Sequence, residues 1–180
     1  MTRESTRKTR SDKKKEVKPT LTLELKDLIY QLSHITHTPV KTVCEKICID
    51  VMYNKKILIG LSKYFQRDYR IGDTIYRGEI NCFIPKRFPG EKSKVTIKFK
   101  QQDFDHIYDL SYVLDLSPSR TVAEFLRIGM NDMNIVNHYI KEHLADQISQ
   151  SQMKQLRELL RYINQKNGEH STWMALLMMI

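Results

Sequence analysis

Two stretches of the chain alternate apolar and polar residues with a period of two. The first is Leu21-Thr22-Leu23-Glu24-Leu25-Lys26 and the second is Val95-Thr96-Ile97-Lys98-Phe99-Lys100. This spacing predicts two half-buried strands, with Leu21, Leu23 and Leu25 on one inner face and Val95, Ile97 and Phe99 on the other. After each stretch the spacing becomes helical. Ile29, Leu32 and Ile35 form one stripe, and Ile107, Leu110 and Val113 or Leu114 form another. Breaks follow at His37-Thr38-Pro39 and Leu116-Ser117-Pro118, where Thr38 and Ser117 predict N-caps with proline at the first helical position. A second helix then carries Val43, Ile47 and Val51, matched by Val122, Leu126 and Met130.

The two regions are also related in sequence. IYQLSHITHT from Ile29 lies over IYDLSYVLDL from Ile107. With Ser117 skipped, PVKTVCEKICIDV from Pro39 lies over PSRTVAEFLRIGM from Pro118, and Lys41 meets Arg120. Nine of the 23 aligned positions are identical, far above chance for unrelated segments. Each unit reads strand, helix, turn, helix. A unit this small cannot bury a stable core alone, and its strand has an unpaired edge. A second copy on the same chain supplies both needs.

This order, length and patterning resembles the ribbon-helix-helix family, the MetJ and Arc type of DNA-binding proteins. The resemblance covers roughly residues 19–52 and 95–130. It implies a mainly α fold with a two-stranded antiparallel ribbon, built as a tandem pseudo-dimer plus C-terminal helices. It further implies sequence-specific binding of double-stranded DNA, with the ribbon in the major groove. The implied role is transcriptional regulation as a repressor, in the cytoplasm with the nucleoid, without catalysis, metal or cofactor. Outward strand residues would meet base edges, which assigns Thr22, Glu24, Lys26, Thr96, Lys98 and Lys100. The starts of the second helices would hold phosphates, which assigns Thr38, Val40, Lys41, Ser117, Ser119 and Arg120. Glu24 stands where the second unit has Lys98, so the two strands are unequal and form an opposite-charge pair if they face each other. Such a ribbon suits a site that is not a perfect palindrome. The same contacts would serve a plasmid or phage DNA-processing or maintenance protein, and a protein-binding antitoxin is a further alternative.

Charge refines this picture through its placement. The 180 residues carry 30 Lys and Arg against 21 Asp and Glu, a net charge of +9. Residues 1–18 hold +5 and residues 53–94 hold +6, whereas 19–52 and 95–130 are each −1 and 131–180 are neutral. The first segment has almost no apolar residues and reads as a disordered basic arm, with Lys13, Lys14 and Lys15 as phosphate contacts or as a solvated tail. The connecting segment interleaves cations with aromatics, as at Lys63-Tyr64-Phe65-Gln66-Arg67-Asp68-Tyr69-Arg70, and predicts a short strand or hairpin around Gly78. Its aromatics are expected on the core and its cations toward nucleic acid.

Residues 131–180 predict one or two further helices with no counterpart in the repeat, followed by the apolar run Trp173–Ile180. They are assigned to homo-oligomer contacts, with core packing as the alternative. No apolar run is long enough for a membrane helix, and no secretory signal is expected. Cys44, Cys48, His34 and His37 lie near one another but match no usual zinc spacing, and three cysteines form no disulfide framework.

Overall fold

The computed structural model describes residues 14–84 and 90–144, together with residues 154, 155, 157–159, 161, 162 and 165. It is mostly helical, with small two-stranded antiparallel sheets. The first unit comprises β1 (Lys15–Val17), β2 (Thr20–Thr22), α1 (Leu23–Ile35), α2 (Val40–Tyr53) and α3 (Lys55–Ser62). A hairpin follows, β3 (Tyr69–Ile71) and β4 (Thr74–Tyr76). The second unit comprises β5 (Lys92–Lys94), β6 (Ile97–Phe99), α4 (Gln101–Leu114), α5 (Pro118–Asn131) and α6 (Met133–Leu144).

The first strand lies upstream of its predicted position. Leu23, Glu24, Leu25 and Lys26 open α1, and Thr22 is the N-cap, its Oγ1 accepting from the Leu25 N–H at 3.3 Å. The strand begins instead in residues assigned to the basic arm, Lys15–Val17, and ends at Thr20–Thr22, where only Leu21 and Thr22 belong to the predicted stretch. β1 pairs with β6 and β2 with β5, both antiparallel. The two pairings share one register: Glu16 faces Lys98 and Thr20 faces Lys94. Between them the Val95 N–H donates to the Pro19 carbonyl at 3.2 Å, and beyond them the Leu23 N–H donates to Glu91. One ribbon therefore runs through both pairs. Proline has no N–H to give, so the ladder loses a bond at Pro19 and divides there. Val17, Pro19, Leu21, Val95, Ile97 and Phe99 are buried, and the residues between them face solvent.

The internal repeat is longer and simpler than sequence identity suggests. Leu23 opens α1 and Gln101 opens α4, 78 residues later, and Asn54 and Asp132 cap α3 and α6 at the same interval. No residue needs to be skipped at Ser117. Left-handed His37 and Asp115 end the two first helices at equivalent places. Buried Val43, Cys44, Ile47, Cys48, Val51 and Met52 on α2 correspond to Thr121, Val122, Phe125, Leu126, Gly129 and Met130 on α5. The third helices belong to the repeat as well. In each, an Asn or Asp side chain accepts from backbone N–H groups of the first turn. The same interval relates Lys18 to Thr96, which face each other in the ribbon, so a local twofold axis passes between them.

The helices enclose the core beneath the ribbon. α2 crosses α5 at its centre, α1 and α4 flank the crossing, and α6 packs on both α2 and α5. α6 therefore packs Met133, Ile135, Val136, Tyr139 and Ile140 into this chain's own core, the alternative given for this part of 131–180. The run Trp173–Ile180 lies outside the described residues. At the crossing, Gly129 admits no Cβ, because the methyl groups of Ile47 and Val51 already occupy its place.

Thr121 stands where the first unit has Val43. It is fully buried, and its hydroxyl has no hydrogen-bond partner among the described residues. A buried, unsatisfied polar group costs ~1–3 kcal/mol. Thr121→Val keeps the shape and removes the hydroxyl, so chemical denaturation is expected to show a gain of about 1 kcal/mol.

Candidate nucleic-acid interface

The outward face of the ribbon carries a regular pattern of charged and hydroxyl side chains. Glu16, Lys18 and Thr20 on one strand stand beside Lys94, Thr96 and Lys98 on the other, all exposed, with Lys92 at the edge. The buried alternate residues fix this face by the pleat: a one-residue slip would place lysines in the core. Glu16 ion-pairs with Lys18 at 2.9 Å and lies opposite Lys98. The hydrogen bond and charge of Lys18, helped by Lys98, lower the Glu16 pKa, so it is a carboxylate at neutral pH. The surface thus offers ammonium donors, hydroxyls and one acceptor-only group, a set suited to base edges and phosphates.

Of the residues assigned to base contact, Thr96 and Lys98 are exposed on this face, and Thr22 of β2, opposite Lys92, lies at its edge. Lys100 is the N-cap of α4, without a side-chain cap bond. Thr22 is half-buried and capping α1. Glu24 and Lys26 are on α1, where Glu24 accepts from the Tyr162 hydroxyl at 3.2 Å and Lys26 donates to Ser93 at 3.0 Å. The opposite-charge pair does form in the ribbon, but its acid is Glu16. Sequence reasoning missed Glu16, Lys18, Thr20, Lys92 and Lys94. The signal was present: equal spacing from the Ile-Tyr-x-Leu-Ser strings back to each strand places residues 14–22 opposite 92–100. Pro19 concealed it, since proline argues against a strand.

The starts of α2 and α5 differ. Ser117 caps α5 as predicted, accepting from the Arg120 N–H at 3.3 Å, with Pro118 in the first turn. In the first unit the cap is Pro39, whose side chain has no acceptor to offer; Thr38 turns back and donates to the Thr36 carbonyl at 3.1 Å. Val40 and Lys41 begin α2, and Ser119 and Arg120 lie in the first turn of α5. The leading N–H groups of both helices point away from their own helical ladders, as at any helix start. Lys14 is held by Glu45 of α2 at 2.7 Å, whereas Lys15 is exposed at the ribbon's end. Lys13 lies outside the described residues.

The segment between the units is attached to the second one. Phe65, Tyr69 and Tyr76 are buried together, as expected for its aromatics, with Phe65 edge-on to both tyrosines. The hairpin turns at Gly72-Asp73, where Gly72 adopts a positive φ, and not around Gly78. The Tyr69 hydroxyl meets the His106 ring on α4 at 3.1 Å, and Tyr53 stacks on the same ring. Burial lowers the His106 pKa and, as the largest cause, raises that of Tyr69. Arg67 lies 4.3 Å over the Tyr112 ring and 3.5 Å from Asp115, so it fastens the segment to the end of α4. Lys63, Arg70 and Arg77 remain exposed, although Arg77 pairs with Asp68 at 3.1 Å.

No other chemistry assembles among the described residues. No group of three or more His, Cys, Asp or Glu is placed to hold a metal ion, and no helix there is long and apolar enough to cross a membrane. Cys44 and Cys48 are buried in the α2 core, where desolvation pushes the Cys44 thiol up to about 12 and Cys48 upward as well. Half-buried Cys82 is expected to be the first to take an alkylating reagent. Intact mass should show one fast adduct in the native protein and three in denaturant. Compared with protein-family models, with curated proteins and with solved structures, the chain matches none.

Proposed function

We propose that this chain binds double-stranded DNA in a sequence-specific way, as a tandem ribbon-helix-helix protein in which one polypeptide supplies both halves of the ribbon, and that it acts as a transcriptional repressor. The observation that carries the reading is the solvated Lys/Thr/Glu face of the ribbon, centred on a local twofold axis between two strand–helix–helix units. A two-stranded ribbon has the width to enter a major groove, where lysines donate to guanine O6 and N7 and threonine methyls meet thymine. The twofold axis matches that of the duplex backbone. The starts of α2 and α5 are related by the same axis and serve as paired phosphate anchors, with Lys41 and Arg120 beside them.

The reading predicts a division of labour. In gel shifts on the region upstream of the chain's own gene, Lys98→Ala should relax preference for the best site, lowering discrimination about tenfold. Lys41→Ala with Arg120→Ala should weaken all duplexes alike and flatten the dependence of affinity on salt. Equal binding of single-stranded and duplex DNA, or no duplex binding at low salt, would sink the proposal.

A further inference from the structure

The twofold axis that relates the strands does not relate their outward side chains. The 78-residue interval sets Glu16 equivalent to Lys94, and Thr20 equivalent to Lys98. One half of the face therefore presents the facing pair Glu16 and Lys98. The other presents the facing pair Lys94 and Thr20. All four side chains are exposed, so none is committed to the core.

The two pairs have different hydrogen-bonding demands. A carboxylate only accepts, so in the major groove it needs the cytosine N4 or adenine N6 amino group. An ammonium only donates, so it needs the guanine O6/N7 or thymine O4 edge. Glu16 and Lys98 together complement a C·G pair, whose edge offers a donor on one base and acceptors on the other. Lys94 and Thr20 complement a guanine beside a thymine methyl. An inverted repeat shows the same base to both members of a twofold-related pair. Such a site would set either Glu16 against acceptors or Lys94 against donors, and an unpaired charge at a base edge is penalised more than a neutral mismatch.

We infer that the DNA site of this protein is not palindromic at its centre, and that Glu16 is the residue that specifies the difference, by requiring cytosine or adenine, whose amino groups face the major groove, where the other half-site has guanine. The chain therefore binds in one orientation, with the α3-bearing and α6-bearing units on defined sides. This inference rests on the DNA-binding reading and adds the class of site to it.

Selection from random duplexes, with wild-type protein and with Glu16→Lys and Glu16→Gln, tests it. The wild type should enrich sites whose two halves differ under Glu16 and Lys94. Glu16→Lys, which makes these positions alike, should shift the enriched sites toward an inverted repeat and improve binding to that repeat about tenfold or more. Glu16→Gln, whose amide both accepts and donates, should move the preference from cytosine toward adenine without gaining one for guanine. Melting temperatures of the variants should fall by no more than a few degrees, since Glu16 is exposed and a cross-strand charge pair contributes little to stability. Enrichment of symmetric half-sites by the wild type would overturn the inference while leaving DNA binding intact. So would a Glu16→Lys effect equal on every sequence, since Glu16 would then only balance Lys18 and Lys98. Failure to enrich any duplex would instead refute the DNA-binding reading, and the inference with it.

Discussion

Gly129→Val is expected to cost at least about 3 kcal/mol of stability. At this size that is a fall in Tm of roughly 10 °C. Where α2 and α5 cross, the position of a Gly129 side chain is filled by the Cγ2 methyl groups of Ile47 and Val51. Both belong to β-branched residues on a helix, whose χ1 angles have little freedom to yield. Gly129→Ala sets a gain in helix propensity of ~1 kcal/mol against overpacking of ~1–3 kcal/mol, so a smaller net loss is expected. Ile47→Ala removes one of the obstructing methyl groups. The double variant should therefore be more stable than the sum of the two single losses by more than ~0.5 kcal/mol. Urea unfolding of the four proteins checks this, and strict additivity would show that the helices separate rather than clash. Gly129 is the twofold equivalent of Val51, and the two touch. A pair of identical units would have to place valine against valine or glycine against glycine there.

The second large effect is electrostatic. Lys94→Glu with Lys98→Glu changes the charge of the ribbon's outward face by four units without touching a buried atom, since both lysines are exposed. Duplex affinity near 150 mM salt is expected to fall by at least about 100-fold, through lost phosphate attraction and lost base contacts. Thermal unfolding should be unchanged. The same charge change at exposed Lys55 and Lys141, on α3 and α6, alters the net charge equally but leaves the ribbon intact. It should cost far less. Equal losses from the two pairs would mean that overall charge, and not this face, attracts DNA.

Much of the helical framework was legible in the sequence because its signals are local. The Ile-Tyr-x-Leu-Ser strings, the four-residue spacing of Val43, Ile47 and Val51, and the Ser117-Pro118 start each reflect a physical requirement met within a few residues. The second ribbon strand was readable for the same reason: Val95, Ile97 and Phe99 alternate without interruption. The first strand was not, because Leu23 to Lys26 prolong the alternation of Leu21 and Thr22 by accident of the helix they open, while the true strand is broken by Pro19. Its pairing is a long-range property, carried by equal spacing rather than by residue type. Aligning identical residues also misled. Matching proline with proline required a skipped residue at Ser117, whereas burial pairs Val43 with Thr121 and Ile47 with Phe125. The third helices were not legible as part of the repeat, because Asn54 and Asp132 cap them with different residues and little else in them is shared. On the ribbon's outward face, Thr96 and Lys98 were legible from their own strand; Glu16, Lys18, Thr20 and Lys94 became visible only once that strand had its partner.

Both halves of the ribbon belong to one backbone, and this alters how the surface is populated. For two separate chains, the paired strands exist only as far as protein concentration drives association, so the assembled fraction falls with dilution. Here pairing is a first-order step of folding, and its equilibrium does not depend on how many molecules share the compartment. A single copy carries a complete ribbon. Occupancy of a DNA site would then rise in simple proportion to the amount of protein, without the squared dependence of a dissociating dimer, down to a few molecules.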